Sequence, residues 1–126
     1  MNSFKQFFVY ASMGAIGTFG HYVTLISLVQ FWLIDPVYAT TVGFIVGALI
    51  NYTLNYRITF RSQKRHIETL PKFLVVAIIG SSTNGLIMFY ALKYTNLHYM
   101  LIQVTATAIV LIMNFSLNKV WTFAVK

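Results

Sequence analysis

The 126-residue chain has no cysteine, two prolines, two acids (Asp35 and Glu68) and only 9% charged residues. Without cysteine there is no disulfide, no thiolate metal site and no cysteine nucleophile. With so few acids there are no paired carboxylates for glycosyl transfer and no acid inside any long apolar stretch. That second absence weighs against a proton-coupled antiporter or a small drug exporter, which need an exchangeable intramembrane carboxylate. A charged fraction of 9% is also far below the roughly 25% of soluble domains, which excludes most soluble folds.

What the chain has instead is apolar surface. Hydrophobic residues make up 58% and the mean hydropathy is +0.72. Nine Lys and Arg against two acids give a net charge of +7. In a soluble protein that imbalance would suggest nucleic acid. Beside this much apolar sequence it points away from nucleic acid, toward membrane lipids of negative charge or a phosphate-bearing ligand. The expected fold class is an all-α integral membrane protein with four transmembrane helices and no soluble catalytic domain.

The charges place the spans at residues 7–32, 37–56, 73–92 and 97–117, each able to cross about 30 Å of hydrocarbon. The first could compete as a signal peptide. Its apolar run is too long, and no small-x-small cleavage site follows it, so it reads as a retained anchor. Eight of the nine cations (Lys5, Arg57, Arg61, Lys64, Arg65, Lys72, Lys119 and Lys126) fall on one side, and Lys93 alone on the other. Because positive short loops stay cytoplasmic, both termini and the basic loop are expected inside.

The chain also repeats itself. Residues 51–60, Asn-Tyr-Thr-Leu-Asn-Tyr-Arg-Ile-Thr-Phe, match residues 114–123, Asn-Phe-Ser-Leu-Asn-Lys-Val-Trp-Thr-Phe, with five of ten positions identical. The starts of spans one and three agree more weakly, with Gln6-Phe7…Gly14 against Lys72-Phe73…Gly80. This predicts a single transmembrane domain over 1–126, built as repeat one (4–60), a basic cytoplasmic loop (61–71) and repeat two (72–126). Each repeat is a helical hairpin, so the two share one orientation and are related by a pseudo-twofold axis along the membrane normal.

Asn51 and Asn55, four apart, share one helix face, as do Asn114 and Asn118. Unpaired amides in hydrocarbon are costly, so these faces should look inward. Each motif ends in a cation, Arg57 or Lys119, at the inner boundary. Amide donors converging with cations there suit a lipid phosphate. The plainer alternative is that the asparagines are interhelical glue and the cations are orientation anchors. His21 is the one ionisable side chain deep in a span, either functional or a neutral ring bonded across helices. Ser81, Ser82, Thr83, Asn84 and Gly85 make the cytoplasmic half of span three polar and read as groove-lining. Gly14-x-x-Gly17-x-x-Gly20 and Gly43-x-x-x-Gly47 read as packing grooves rather than nucleotide motifs. Asn51-Tyr-Thr and Asn114-Phe-Ser fit the glycosylation sequon by accident, since they lie within spans. His66 and Glu68 fall in the basic loop, facing solvent, and Asp35-Pro36 breaks the outer turn. Neither catalytic constellation nor metal-ligand spacing is present, so no enzyme, cofactor or metal is expected.

On these motifs the chain resembles the GtrA-like family of small four-span bacterial membrane proteins. The resemblance rests on Phe8…Gly14-Ala-Ile-Gly17-Thr-Phe-Gly-His21-Tyr, both Asn motifs, His66…Leu70-Pro71-Lys72-Phe73, and Gln103 leading into the last helix. In the first motif Tyr56 and Ile58 replace the family's basic and aromatic positions, which Lys119 and Trp121 keep in the second. The resemblance implies translocation of a polyprenyl-phosphate-linked sugar, such as undecaprenyl-phosphate glucose, across the cytoplasmic membrane for cell-envelope polysaccharide modification. Arg57, Lys119, Asn55 and Asn118 would then engage the lipid phosphate, while Asn51, Asn114, His21 and Asn84 line the groove along which the sugar passes between the repeats. Membrane glycosyltransferases of the same pathway are the implied protein partners. A non-transporting scaffold that recruits such an enzyme is the alternative. Two hairpins bury little surface alone, which leaves homo-oligomerisation open, with Gly43/Gly47 as one candidate face.

Overall fold

In a computed structural model, which describes residues 1–125, the chain forms two compact units, Met1–Ser62 and Gln63–Lys126. Lys126, counted above with the inner-face cations, lies outside the described residues. Each unit is a helical hairpin. The first pairs α1 (Ser3–Gln30) with α2 (Pro36–Leu54), and the second pairs α3 (His66–Tyr94) with α4 (Tyr99–Leu117). Both α2 and α4 run on into a π-helical turn, Asn55–Thr59 and Asn118–Thr122. Among the described residues there is no strand.

Four helical segments, Ser3–Gln30, Pro36–Thr59, His66–Tyr94 and Tyr99–Thr122, are long and apolar enough to cross a membrane. Burial is inverted relative to a water-soluble fold. Among the five largest fully buried side chains, only Val76 is apolar; Asn55, Asn118, Thr69 and Thr122 are polar. Phe19, Ile78 and Val104 meanwhile stand exposed. In water that arrangement would strand apolar surface, whereas in hydrocarbon it hides the hydrogen-bonding groups. The chain is a multi-pass membrane protein.

Short polar segments cap these helices. The Asn2 side chain accepts from Lys5 N–H at 2.8 Å at the start of α1. Asp35 caps α2 by accepting from Val37 N–H at 2.9 Å, with Pro36 at the first helical position, where its missing N–H costs nothing. The Asp35-Pro36 pair thus starts a helix besides ending a turn. His98 caps α4 through Nδ1, which accepts from Met100 N–H at 3.1 Å. After the first π turn, Arg61 takes a left-handed conformation (φ 46°) and Ser62 N–H closes back on the Tyr56 carbonyl at 2.8 Å.

The expected loop 61–71 is shorter than its composition suggests. Helix α3 starts at His66 and carries Pro71 inside it, so His66 and Glu68 are exposed on its first turn rather than in a loop. Pro71 still lies near the helix start and denies a hydrogen bond to a single carbonyl, that of Ile67. Glu68 favours the positive helix end and meets Lys64 at 3.6 Å. The early start also moves the polar stretch 81–85 past the midpoint of α3, toward the α3–α4 loop.

Within each hairpin the contacts recur at a constant offset of 63 residues. Tyr10 packs on Phe60 with ring centres 6.1 Å apart, and Phe73 on Phe123 at 6.3 Å. His21 meets Thr40 at 3.1 Å, and Gln103 meets Asn84 at 3.1 Å. Gly17 faces Asn51, and Gly80 faces Asn114. In space, then, Gly80 answers to Gly17, not to Gly14, and Lys72 answers to Val9, not to Gln6. The weaker sequence match had slipped by one helical turn, which keeps the same helix face.

The hairpins differ in how closely their helices approach. A Cβ on Gly17 would lie 2.8 Å from the Gly47 carbonyl oxygen, one on Gly47 2.7 Å from the Gly17 oxygen, and one on Gly43 2.8 Å from the His21 oxygen. The backbones of α1 and α2 touch along this line. The Gly43/Gly47 face is therefore occupied inside the hairpin and is not open to a second copy. At the matching positions of α4 stand Ala106 and Val110.

Candidate functional site: two amide-threonine ladders, a basic cleft and a polar cleft

The duplicated motif ends both hairpins in the same way. Asn55 Nδ2 donates to the Asn51 side-chain oxygen at 2.6 Å and to its carbonyl at 3.0 Å, and Thr59 Oγ1 donates to Asn55 Oδ1 at 2.6 Å. In the second hairpin Thr122 Oγ1 donates to Asn118 Oδ1 at 2.8 Å. The backbone widens where the ladder runs, with Phe60 N–H reaching the Asn55 carbonyl at 2.9 Å and Phe123 N–H the Asn118 carbonyl at 2.8 Å, five residues apart each time. The Thr59 carbonyl also accepts from Gln6 Nε2 at 3.1 Å, tying the π turn to α1. Asn55, Thr59, Asn118 and Thr122 are all buried. These four build the turns, and their side chains are engaged with one another rather than open to a ligand.

The ladders differ at one atom. Asn51 Oδ1 is bonded, whereas Asn114 Oδ1 is buried with no hydrogen-bond partner. It lies against Gly80, where an added Cβ would come 2.5 Å from it. A buried acceptor without a donor costs about 1–3 kcal/mol.

The two motif cations are not equivalent. Lys119 answers to Tyr56 and Arg57 to Val120 under the 63-residue offset. Lys119 Nζ sits over the Phe115 ring at 5.7 Å, where the first hairpin has Tyr52 against Tyr56 at 5.8 Å. Arg57 is exposed on its π turn. Trp121, the residue that replaces Ile58, is met by Lys72 Nζ 5.5 Å from its ring centre. Around this pair lies a cleft of about 440 Å³ lined by Lys64, Glu68, Lys72 and Trp121. Sequence reasoning took Lys64 and Lys72 as inner-face cations that set orientation and Trp121 as the aromatic position of the second motif. Glu68 and Lys72, four apart, share one face of α3, and Lys64, just before the helix, reaches Glu68 at 3.6 Å, a grouping that surfaces only once the helix is known to start before Lys72.

A second cleft, of about 390 Å³, opens between α3 and α4 and is lined by Gly80, Ser81, Asn84, Gln103, Thr107 and Val110 among others. Gln103 Nε2 donates to Asn84 Oδ1 at 3.1 Å and to Thr107 Oγ1 at 2.9 Å. Asn84 is thus groove-lining, together with Ser81; Thr83 bonds back to the Ile79 carbonyl at 2.8 Å, and Gly85 borders open space. His21 bonds across the hairpin to Thr40 and covers Gly43. Gln103, which entered above only as part of a motif, is the group that organises the polar cleft.

A family model described as the GtrA/DPMS transmembrane domain matches residues 9–123. No curated protein and no solved structure matches the chain.

Proposed function

The chain belongs to the GtrA/DPMS transmembrane family, a membership that suggests membrane work tied to polyprenyl-phosphate sugars, and on that premise we propose that it translocates such a lipid, for example undecaprenyl-phosphate glucose, across the cytoplasmic membrane for cell-envelope polysaccharide modification. The observation that carries this reading is the basic cleft around Lys72 and Trp121, beside the second amide-threonine ladder. Two ammonium groups and an aromatic wall near a helix end suit a phosphate that joins a sugar to a lipid tail. Lys64 and Lys72 receive the phosphate, with Lys119 and the exposed Arg57 as further cations on the same inner side. The buried asparagines hold the π turns that present these cations. The polyprenyl tail stays in lipid against the exposed apolar faces. No bond is made or broken: the protein is a carrier rather than an enzyme, and it works beside the membrane glycosyltransferases that load and unload its cargo. With no acid in any span beyond Glu68, exposed on the first turn of α3, net flow follows consumption of the sugar outside.

The test is a sided assay. Proteoliposomes holding undecaprenyl-phosphate glucose are probed with a membrane-impermeant oxidant that attacks only outward-facing sugar. Wild-type protein should expose the inner pool, and Lys72→Ala, like the double variant Arg57→Ala/Lys119→Ala, should slow exposure roughly tenfold, the worth of one charge-assisted hydrogen bond. Unchanged rates in both variants would overturn the assignment of the phosphate to these cations. A wild-type protein that moves no lipid yet co-purifies with a glycosyltransferase would establish the scaffold instead.

A further inference from the structure

The two hairpins share one contact scheme, and the second opens a polar cleft partway along its helices. The cause is legible in three positions. Gly17, Gly43 and Gly47 bring the α1 and α2 backbones together. The second hairpin keeps the first of these as Gly80 but replaces the other two with Ala106 and Val110. Side chains now stand between α3 and α4 where bare backbone stood before, Ala106 being wholly buried. The helices part on the side of Ser81, Asn84, Gln103 and Thr107, leaving about 390 Å³, within the usual small-ligand range of about 300–1,000 Å³.

The chemistry of that cleft is specific. Gln103 Nε2 uses its hydrogens on Asn84 Oδ1 and Thr107 Oγ1. The Gln103 oxygen, the Asn84 amide nitrogen and the Ser81 hydroxyl remain, giving one acceptor, one donor and one group that does both. None is charged, and no charged residue lines the cleft. In hydrocarbon, open amides of this kind cost several kcal/mol unless something polar meets them. A carboxylate or a phosphate would enter without a counter-charge and at heavy desolvation cost. A neutral polyol, whose hydroxyls both donate and accept, answers the set.

The basic cleft lies elsewhere on the same helix. From Lys72 to Ser81 or Asn84 the rise is roughly 14–18 Å, more than a single sugar spans. The two clefts are therefore consecutive stations and not one site. We infer that the α3–α4 cleft is the intramembrane sugar station, selective for uncharged hexoses, with Gln103, Asn84 and Ser81 as its specificity-determining residues. This rests on the sugar-lipid reading above and adds which sugars pass and where they are read.

The experiment measures binding to the full chain in lipid nanodiscs. The probes are undecaprenyl phosphate bare, bearing glucose, galactose or N-acetylglucosamine, and bearing glucuronate. At least one neutral sugar should bind roughly tenfold tighter than the bare lipid, as one satisfied hydrogen bond allows, and glucuronate no tighter than the bare lipid. In Gln103→Leu the ratio of sugar-bearing to bare affinity should fall to near one. Should Gln103→Leu fail to fold, seen as loss of binding to every probe, Ser81→Val on the exposed rim carries the same test. A wild-type ratio near one, a preference for glucuronate, or a ratio that survives in a folded variant would overturn the station. Failure of wild-type protein to bind any undecaprenyl phosphate, bare or glycosylated, would instead overturn the sugar-lipid reading on which it rests.

Discussion

His21 and Thr40 meet across α1 and α2 at 3.1 Å, and 63 residues later Asn84 and Gln103 meet at the same distance across α3 and α4. One polar clasp thus serves both hairpins with different chemistry, and the titratable version sits in the closed hairpin. If the clasp is what position 21 requires, an amide there should serve. His21→Asn should keep most transport at both pH 6 and pH 8, measured by the sided assay, while His21→Leu should lose stability. A double-mutant cycle between positions 21 and 40 should give a coupling of about 0.6 kcal/mol, the average for interhelical hydrogen bonds in membranes. Abolition of transport in His21→Asn would make the ring a proton carrier and contradict this.

The glycines range from those that touch backbone (Gly17, Gly43, Gly47), through those that meet side chains (Gly14, Gly20, Gly80), to Gly85, which meets nothing. Gly47→Val should be among the most destabilising changes in the first hairpin, because its Cβ would lie 2.7 Å from the Gly17 carbonyl oxygen and neither backbone can yield cheaply. Overpacking of this kind costs about 1–3 kcal/mol. Gly85→Ala meets nothing within 4 Å and should be neutral or gain up to about 1 kcal/mol from helix propensity. Thermal unfolding in detergent, followed by loss of the monodisperse peak, ranks the two. A tolerated Gly47→Val would show that α1 and α2 do not pack backbone to backbone.

Much of this fold was legible in the sequence because lipid imposes one rule: apolar runs of sufficient length must be helices. Spans, their number and the duplicated Asn motif followed from charge spacing and identity alone. The start of α3 did not, since Pro71 and the basic residues around it look like loop until Glu68 and Lys72 are seen on one helix face, with Lys64 just ahead of it. The roles of the motif residues were also hidden. A helix-periodic reading places Asn55 and Asn118 on an inward face, but only the fold reveals the wider π turn, in which Thr59 and Thr122 close on them and leave them structural. Nor does a list of glycines say that Gly43 and Gly47 close one hairpin while Ala106 and Val110 open the other. That difference depends on comparing positions 63 apart.

The two ladders should respond unequally to the same change. Asn51→Leu removes the oxygen that accepts from Asn55 Nδ2 at 2.6 Å, whereas Asn114→Leu removes an oxygen that has no partner. The first loses a hydrogen bond in a buried site and the second sheds an unsatisfied acceptor, so Asn51→Leu should be the more destabilising by about 1–2 kcal/mol. Reversible unfolding in mixed micelles measures both. Equal losses would mean that a donor reaches Asn114 in the membrane.

Glu68 is the one acid in the basic cleft, held 3.6 Å from Lys64 with its side chain about half exposed. An exposed pair of this kind contributes at most about 1 kcal/mol to stability, so Glu68→Gln should leave the melting temperature nearly unchanged. Its effect on ligand charge is larger in kind: removing the acid releases Lys64 toward an incoming phosphate and takes away a like-charge repulsion. Glu68→Gln should therefore bind vesicles containing bare undecaprenyl phosphate more tightly than wild type by roughly two- to fivefold at 0.1 M salt, about 0.5–1 kcal/mol. The gain should vanish near 1 M salt, where the screening length falls to about 3 Å. Co-flotation with vesicles across a salt series gives both numbers. Weaker binding in Glu68→Gln would mean that the carboxylate holds the cleft in its binding shape, and would move the phosphate away from Lys64.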